Sequence, residues 1–310
     1  MPDPTRRVAA APTGRVAAAP TGVIHDIGYQ RYTGPRLGRW HVFGALYSHG
    51  LRTAFGLGRS AKAKIFPWMI VAIVVVVAAG LAAVRTQIGQ PVLTYAQFAD
   101  SMSWLVIFFV AVAAPELVSR DLRSGVLPLY FSRPLPRADY PLAKLAALVT
   151  ALWLLLGAPQ LVMFVGAAFT TGDGLRGTWD ELLDLLPGLL YAGLWAVVFA
   201  SIGLLVASLT GKRAFAAGGV VAVFLMTTPI VGTLSVMPSQ TLNELALLAS
   251  PSTMVSAAGG WALGDLLTDG DGDSLANQIG RFGPVYLVAV VAVVAGAVAL
   301  LLARYRKVAS

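Results

Sequence analysis

His25, His41 and His49 are the histidines of this chain, and it has no cysteine. Zinc sites are built from Cys and His at short spacings, and thiol chemistry needs a thiol. His41 and His49 have no clustered carboxylates beside them, so no metal centre is expected there. All three histidines precede the first long apolar run, so none is placed to activate a serine inside a bilayer. Asp269-Gly270-Asp271-Gly272-Asp273 has the alternating carboxylates of half a calcium loop. Gly280 stands where such a loop needs its bidentate Glu, so a solvated acidic turn is expected instead. Gly211-Lys212-Arg213 is the nearest approach to a nucleotide-phosphate loop. It has Val206 in place of the upstream glycine and no Ser or Thr after the lysine. The chain is therefore read as non-enzymatic, with no catalytic, cofactor-binding or metal-binding residues of its own.

One segment does combine informative residue types. Glu116 to Leu148 reads ELVSRDLRSGVLPLYFSRPLPRADYPLAKLAAL. It is basic, punctuated by Gly125, Pro128, Pro134, Pro136 and Pro141, and carries Val126, Leu127, Leu129, Tyr130 and Phe131 between its charges. An apolar knob ringed by charge is the composition of a docking surface, not of a plain connector.

The elements that position this segment follow from composition. Hydrophobic residues make up 57% of the 310 residues and charged ones 12%, about half the charged share of a soluble domain. The apolar residues gather in runs that match the hydrocarbon thickness of a bilayer. Six spans are expected: Phe66–Val84, Phe98–Ser119, Leu145–Phe169, Leu182–Leu209, Ala214–Met237 and Pro284–Leu302. No signal peptide follows Met1. The fold class is an all-α membrane protein with six transmembrane helices.

Before the spans lie two further regions. Residues 1–39 form a tail that opens with RVAAAPTG twice in tandem, and this composition predicts disorder. Residues 40–64 hold an amphipathic helix and a basic linker. Trp40, Phe43, Tyr47, Leu51 and Phe55 recur at steps of three or four, which suits a helix lying in the membrane interface. The six-span region runs over 65–307, with a cytoplasmic loop at 120–144 and an outer loop at 238–283; 308–310 form the C-terminal end. Pro238–Leu267 is apolar enough to form short helices dipping into the outer leaflet.

Loop charge sets the orientation. Ten Lys or Arg precede the first span, and five lie between Arg120 and Lys144. Two more lie between spans four and five and three after the last span. The other side holds Arg85, Arg176 and Arg281. The positive-inside rule puts both termini in the cytoplasm. The net charge of +8 thus reads as topology and contact with anionic lipid, not nucleic-acid binding. The Ala- and Arg-rich composition suggests a bacterial cytoplasmic membrane.

The Glu116–Leu148 run resembles the cytoplasmic signature of ABC-2-type transporter permeases. In that family an acidic residue ends the second span. An Arg/Ser-Gly turn, a short apolar stretch, an Arg-Pro pair, and an aromatic and Lys entering the third span follow it. The matching positions are Glu116, Arg123, Ser124, Gly125, Leu127, Arg133, Pro134, Arg137, Tyr140 and Lys144. The six-span layout, the interfacial helix and the longer last outer loop extend the resemblance over about residues 40–307.

The resemblance implies a permease driven by two separate ATPase subunits, with ATP and Mg on those partners. They would dock on the 120–144 loop and the interfacial helix. Glu116, Arg120, Arg123, Gly125, Leu127, Phe131, Arg133, Arg137, Tyr140 and Lys144 are the expected coupling residues. It also implies pairing with a second copy or a sister permease. An amphiphilic or hydrophobic cargo, moved outward, fits the apolar spans; no substrate residue is identified. Individual residues keep plainer readings: Glu116 as an i,i+4 partner of Arg120, the arginines as topology anchors, Tyr140 and Lys144 as interfacial anchors. Two other classes stay open. A gradient-driven carrier needs a carboxylate deep in the spans, where Asp100 and Glu116 are placed only near span ends. A non-transporting scaffold needs no flux.

Overall fold

The computed structural model describes Gly34 and residues 38–124, 136–172, 174–267 and 279–308. The chain divides into Met1–Leu37, of which only Gly34 is described, and a compact unit, Gly38–Ser310. The tandem repeat lies outside the described residues.

The compact unit is helical. Helix α1 (Arg39–Ala54) precedes α2 (Ala61–Ile88), α3 (Tyr95–Ser101), α4 (Ser103–Leu117) and the short α5 (Ser119–Ser124). Then come α6 (Asp139–Ala168), α7 (Gly174–Ser208), α8 (Arg213–Leu225), α9 (Thr228–Ser235) and α10 (Gln240–Leu245). A 3-10 turn at Ala246–Ala249 leads to α11 (Pro251–Leu267), and another at Gly280–Phe282 leads to α12 (Gly283–Val308). Among the described residues, five segments are long and apolar enough to cross a membrane: α2, α6, α7, α8 with α9, and α12 with its preceding turn. The α3–α4 pair makes a sixth if counted as one span. The 28 residues of α2 extend about 42 Å, enough for a bilayer core with a cytosolic or outer turn to spare.

Helix α7 is the centre of the bundle. Of its most apolar stretch 61% is buried, against 22% in each of α2, α8–α9 and α12. It packs against α6, α4, α11 and α12. On its core face Trp195 leans against Phe199, which stacks on Phe224 of α8, with ring centroids 4.7 and 4.3 Å apart. Small residues let the backbones close in, as expected where lipid replaces water and packing must drive association. A Cβ on Gly203 would fall 2.2 Å from Val110 Cγ1, and one on Gly188 2.4 Å from Tyr95 Cβ. The outer helices turn large apolar side chains outward, including Ile65, Trp68, Met69, Ile73 and Val76 of α2. A continuous face of that kind suits hydrocarbon, not water.

The helices run past several expected span boundaries, α2 beginning at Ala61 and α6 at Asp139, and two spans differ further. The second span starts earlier, at Tyr95, and bends by 56° at Met102. Thr94 starts it with a capping box shared with Gln97. At the bend Ser101 donates back to the Gln97 carbonyl at 2.7 Å, a contact that bends helices. The fourth span extends back to Gly174, because Glu181 is neutralised by Arg85 and joins the helix. The segment after α9 is helical, in the short α10 and the 17-residue α11, and α11 buries Met254, Val255, Ala257 and Ala258.

Candidate coupling site at the basic end of the bundle

Glu116 ends α4 and is 6% exposed. Its Oε1 pairs with Arg213 at the start of α8 at 2.5 Å. Its Oε2 pairs with Arg59, in the link between α1 and α2. One carboxylate thus ties three separate segments. A buried carboxylate requires such partners, because desolvation opposes its charge. The partners differ from the local Glu116–Arg120 pairing open in the sequence; of the Arg120 side chain nothing is described.

The segment joining the second and third spans is fastened at both ends. Before it, Asp121 lies on α5. After it, Tyr140 and Lys144 lie on the first turns of α6. Tyr140 donates to Asp121 Oδ2 at 2.5 Å, and Lys144 Nζ lies 3.2 Å from the same oxygen. Pro136 marks the approach to α6, and a proline at the third helical position, Pro141, removes an amide that has no partner in a first turn anyway. Both Tyr140 and Lys144 are buried, so they are internal struts and not surface anchors. The Tyr140 ring also rests on Tyr305 of α12, centroids 5.4 Å apart. Ser119 donates to the Ala207 carbonyl of α7 at 2.8 Å, and Arg123 reaches the Gly211 carbonyl at 3.3 Å. Arg304 reaches the Leu209 carbonyl at 3.3 Å. Arg137 is exposed. Gly125, Leu127, Phe131 and Arg133 lie outside the described residues.

Helix α1 is fastened to the same end. Arg39 forms a two-point contact with Asp139, Nε to Oδ2 at 2.6 Å and Nη2 to Oδ1 at 2.5 Å. The hydrogen bonds to the Asp139 carboxylate raise the Arg39 guanidinium further above its ordinary pKa. Tyr47 donates to Thr150 of α6 at 3.1 Å. Phe43, Leu51 and Phe55 pack on the core, with Phe55 against Phe109 at 5.6 Å. Trp40 alone of the five expected interfacial residues is widely exposed, at 77%. Most of the expected membrane-facing stripe is therefore used to seat α1 against α6 and α4.

The opposite end carries its own polar clamps. Arg85 donates to both oxygens of Glu181, at 2.8 and 2.6 Å, and Tyr95 donates to Glu181 Oε1 at 2.6 Å. They link α2, α3 and α7. Asp100 accepts from Tyr191 at 2.5 Å and Ser256 at 3.1 Å, linking α3, α7 and α11. Among the described residues no group of three metal-ligating side chains forms; the Asp269–Asp273 turn lies outside them.

Sequence reasoning missed Arg59 and Arg213 as partners of Glu116, Asp121 as partner of Tyr140 and Lys144, and the Arg39–Asp139 contact. These partners are far apart along the chain, 100 residues for Arg39 and Asp139, and no helical or strand period links them. The available signal was scarcity: a few carboxylates in an apolar, basic chain each need a cation or a hydroxyl donor.

The apolar helices and the polar clamps at their ends define a polytopic helical membrane protein. The family of ABC-2 transporter proteins matches residues 82–308, nearly all of the bundle after the first three quarters of α2. The chain belongs to that family, whose members are membrane transport permeases associated in general with ABC ATPases. No curated protein matches it.

Proposed function

We propose that this chain is the permease subunit of an exporter for amphiphilic compounds, pushed by two separate ATPase subunits at the basic end. In this reading both termini are cytoplasmic, α1 lies at the inner membrane surface of a bacterium, and two permeases pair around the pathway. The distribution of Lys and Arg supports the orientation. The position of Glu116 carries the coupling. It joins the end of α4, the entry to α2 and the entry to α8, while the adjacent Asp121–Tyr140–Lys144 contact fastens the connecting segment to α6. A displacement of that segment by a docked ATPase then moves four spans together, because packed helices shift as units. ATP and Mg belong to the partner.

The experiment is co-purification with a subunit bearing a nucleotide-phosphate loop, followed by nucleotide hydrolysis in lipid. Phe131→Asp is expected to release that subunit and leave the thermal unfolding of the bundle unchanged. Retention of the subunit by Phe131→Asp contradicts docking at this segment.

A gradient-driven carrier is favoured by one observation, the Asp100 carboxylate held between Tyr191 and Ser256 in the bent span. Asp100→Asn abolishes flux under that reading. Under the ATP-driven reading it leaves nucleotide-dependent flux within about threefold, the weight of an average hydrogen bond between membrane helices.

A further inference from the structure

The link between α1 and α2 leaves a cleft of about 500 Å³. Arg52, Thr53, Arg59 and Ser60 line it, beside Gly58. Gly58 adopts φ 80°, and a Cβ there would meet nothing within 4 Å. The backbone therefore bends around open space. The guanidinium of Arg59 is committed to Glu116. Arg52 is exposed and forms no ion pair among the described residues. The Ser60 hydroxyl, at the cap position of α2, makes no capping hydrogen bond. With Glu116 answered by Arg59 and Arg213, the cleft keeps a net positive charge and spare donors. Both are what a phosphodiester requires.

What stands above the cleft selects the kind of phosphate. From Ser60, α2 rises with Ile65, Trp68, Met69, Ile73 and Val76 outward, an apolar track that starts one turn beyond the cleft. A free phosphate has no use for such a track, whereas acyl chains cover it. We propose that this cleft binds the headgroup phosphate of an anionic phospholipid whose chains lie along α2. The proposal rests on placing α1 at the membrane surface. Bound there, the lipid bridges α1 and α2 next to the Arg59–Glu116 contact, so it tunes the same junction through which the basic end moves.

The test uses the full chain purified from membranes of mixed phosphatidylglycerol and phosphatidylcholine, with retained lipid counted by native mass spectrometry. The wild type is expected to enrich phosphatidylglycerol. Arg52→Gln is expected to lower that enrichment about fivefold, the weight of one basic contact with anionic lipid, and Arg52→Lys to keep most of it. An unchanged enrichment in Arg52→Gln overturns the proposal. Displacement of the lipid by inorganic phosphate as readily as by short-chain phosphatidylglycerol also overturns it. A spin label on Ser48→Cys, introduced without cysteine background, reports depth separately. Headgroup depth with unchanged lipid retention refutes the lipid site alone; a label in bulk water refutes the placement of α1 and the site with it.

Discussion

Tyr140 donates its phenolic hydrogen to Asp121 at 2.5 Å, so the two ends of the connecting segment between the second and third spans are joined at their base. Lys144 completes the contact from one turn further along α6. Tyr140 also packs on Tyr305, so this junction connects α5, α6 and α12.

Removal of this junction is expected to be non-additive. Tyr140→Phe should destabilise by about 1 kcal/mol, since it removes one hydrogen bond to a charged acceptor in a setting where such bonds average less than in water-soluble proteins. Lys144→Met should cost more, about 2 kcal/mol, because it removes the buried cation that answers the partly buried Asp121 carboxylate. Both substitutions together should depart from the sum, as expected for groups sharing one acceptor. Denaturation in detergent measures the cycle; strict additivity would show that the two contacts act independently.

Glu116→Gln keeps the shape of the side chain and leaves Arg59 and Arg213 without their shared anion. The bundle should remain folded, since Arg213 is 54% exposed and solvent answers its charge. The ATPase partner should still bind. Nucleotide hydrolysis should no longer drive flux, with a fall of about tenfold, equivalent to ~1.4 kcal/mol of lost coupling. Reconstituted vesicles measure both quantities, and equal losses of hydrolysis and flux would place Glu116 in docking and not in transmission.

Backbone proximity gives a sharper contrast. Gly203→Val should separate α7 from α4, because even its Cβ meets Val110 at 2.2 Å, and should cost about 3 kcal/mol or more. Gly218→Ala on α8 meets nothing within 4 Å and should stabilise by about 0.5–1 kcal/mol through helix propensity. Thermal unfolding of the two variants checks the helix assignment and the packing together.

The opposite end offers a charge-exchange test. Glu181→Gln should cost about 2 kcal/mol, below the figure for a fully buried pair because the Arg85 side chain keeps 19% exposure. The double variant Arg85→Glu, Glu181→Arg should recover part of the loss in unfolding temperature. No recovery would assign the contribution of Glu181 to its Tyr95 hydrogen bond instead.

The spans were legible because a bilayer imposes a length on apolar runs, and α2, α6 and α12 fall where those runs lie. The bend at Met102 was not, because it depends on Ser101, Asp100 and their contacts with α7 and α11. The stripe Trp40–Phe55 was legible as amphipathic, yet its partner was not. The same periodicity serves lipid or a neighbouring helix, and here Tyr47 meets Thr150 and Phe55 meets Phe109. Glu116, Tyr140 and Lys144 were marked by a family resemblance as expected coupling residues. Their partners were not, since an ion pair between distant segments leaves no local period.

The most direct measurement concerns Arg137, exposed at the foot of the connecting segment. Arg137→Cys, as the single thiol of the chain, can be treated with a crosslinker in inside-out membrane vesicles and in intact cells. The account predicts a crosslink to the subunit that carries the nucleotide-phosphate loop, formed in the vesicles and protected from impermeant maleimide in the cells. Labelling of Arg137→Cys from outside intact cells, or a crosslink that never includes that subunit, would contradict it.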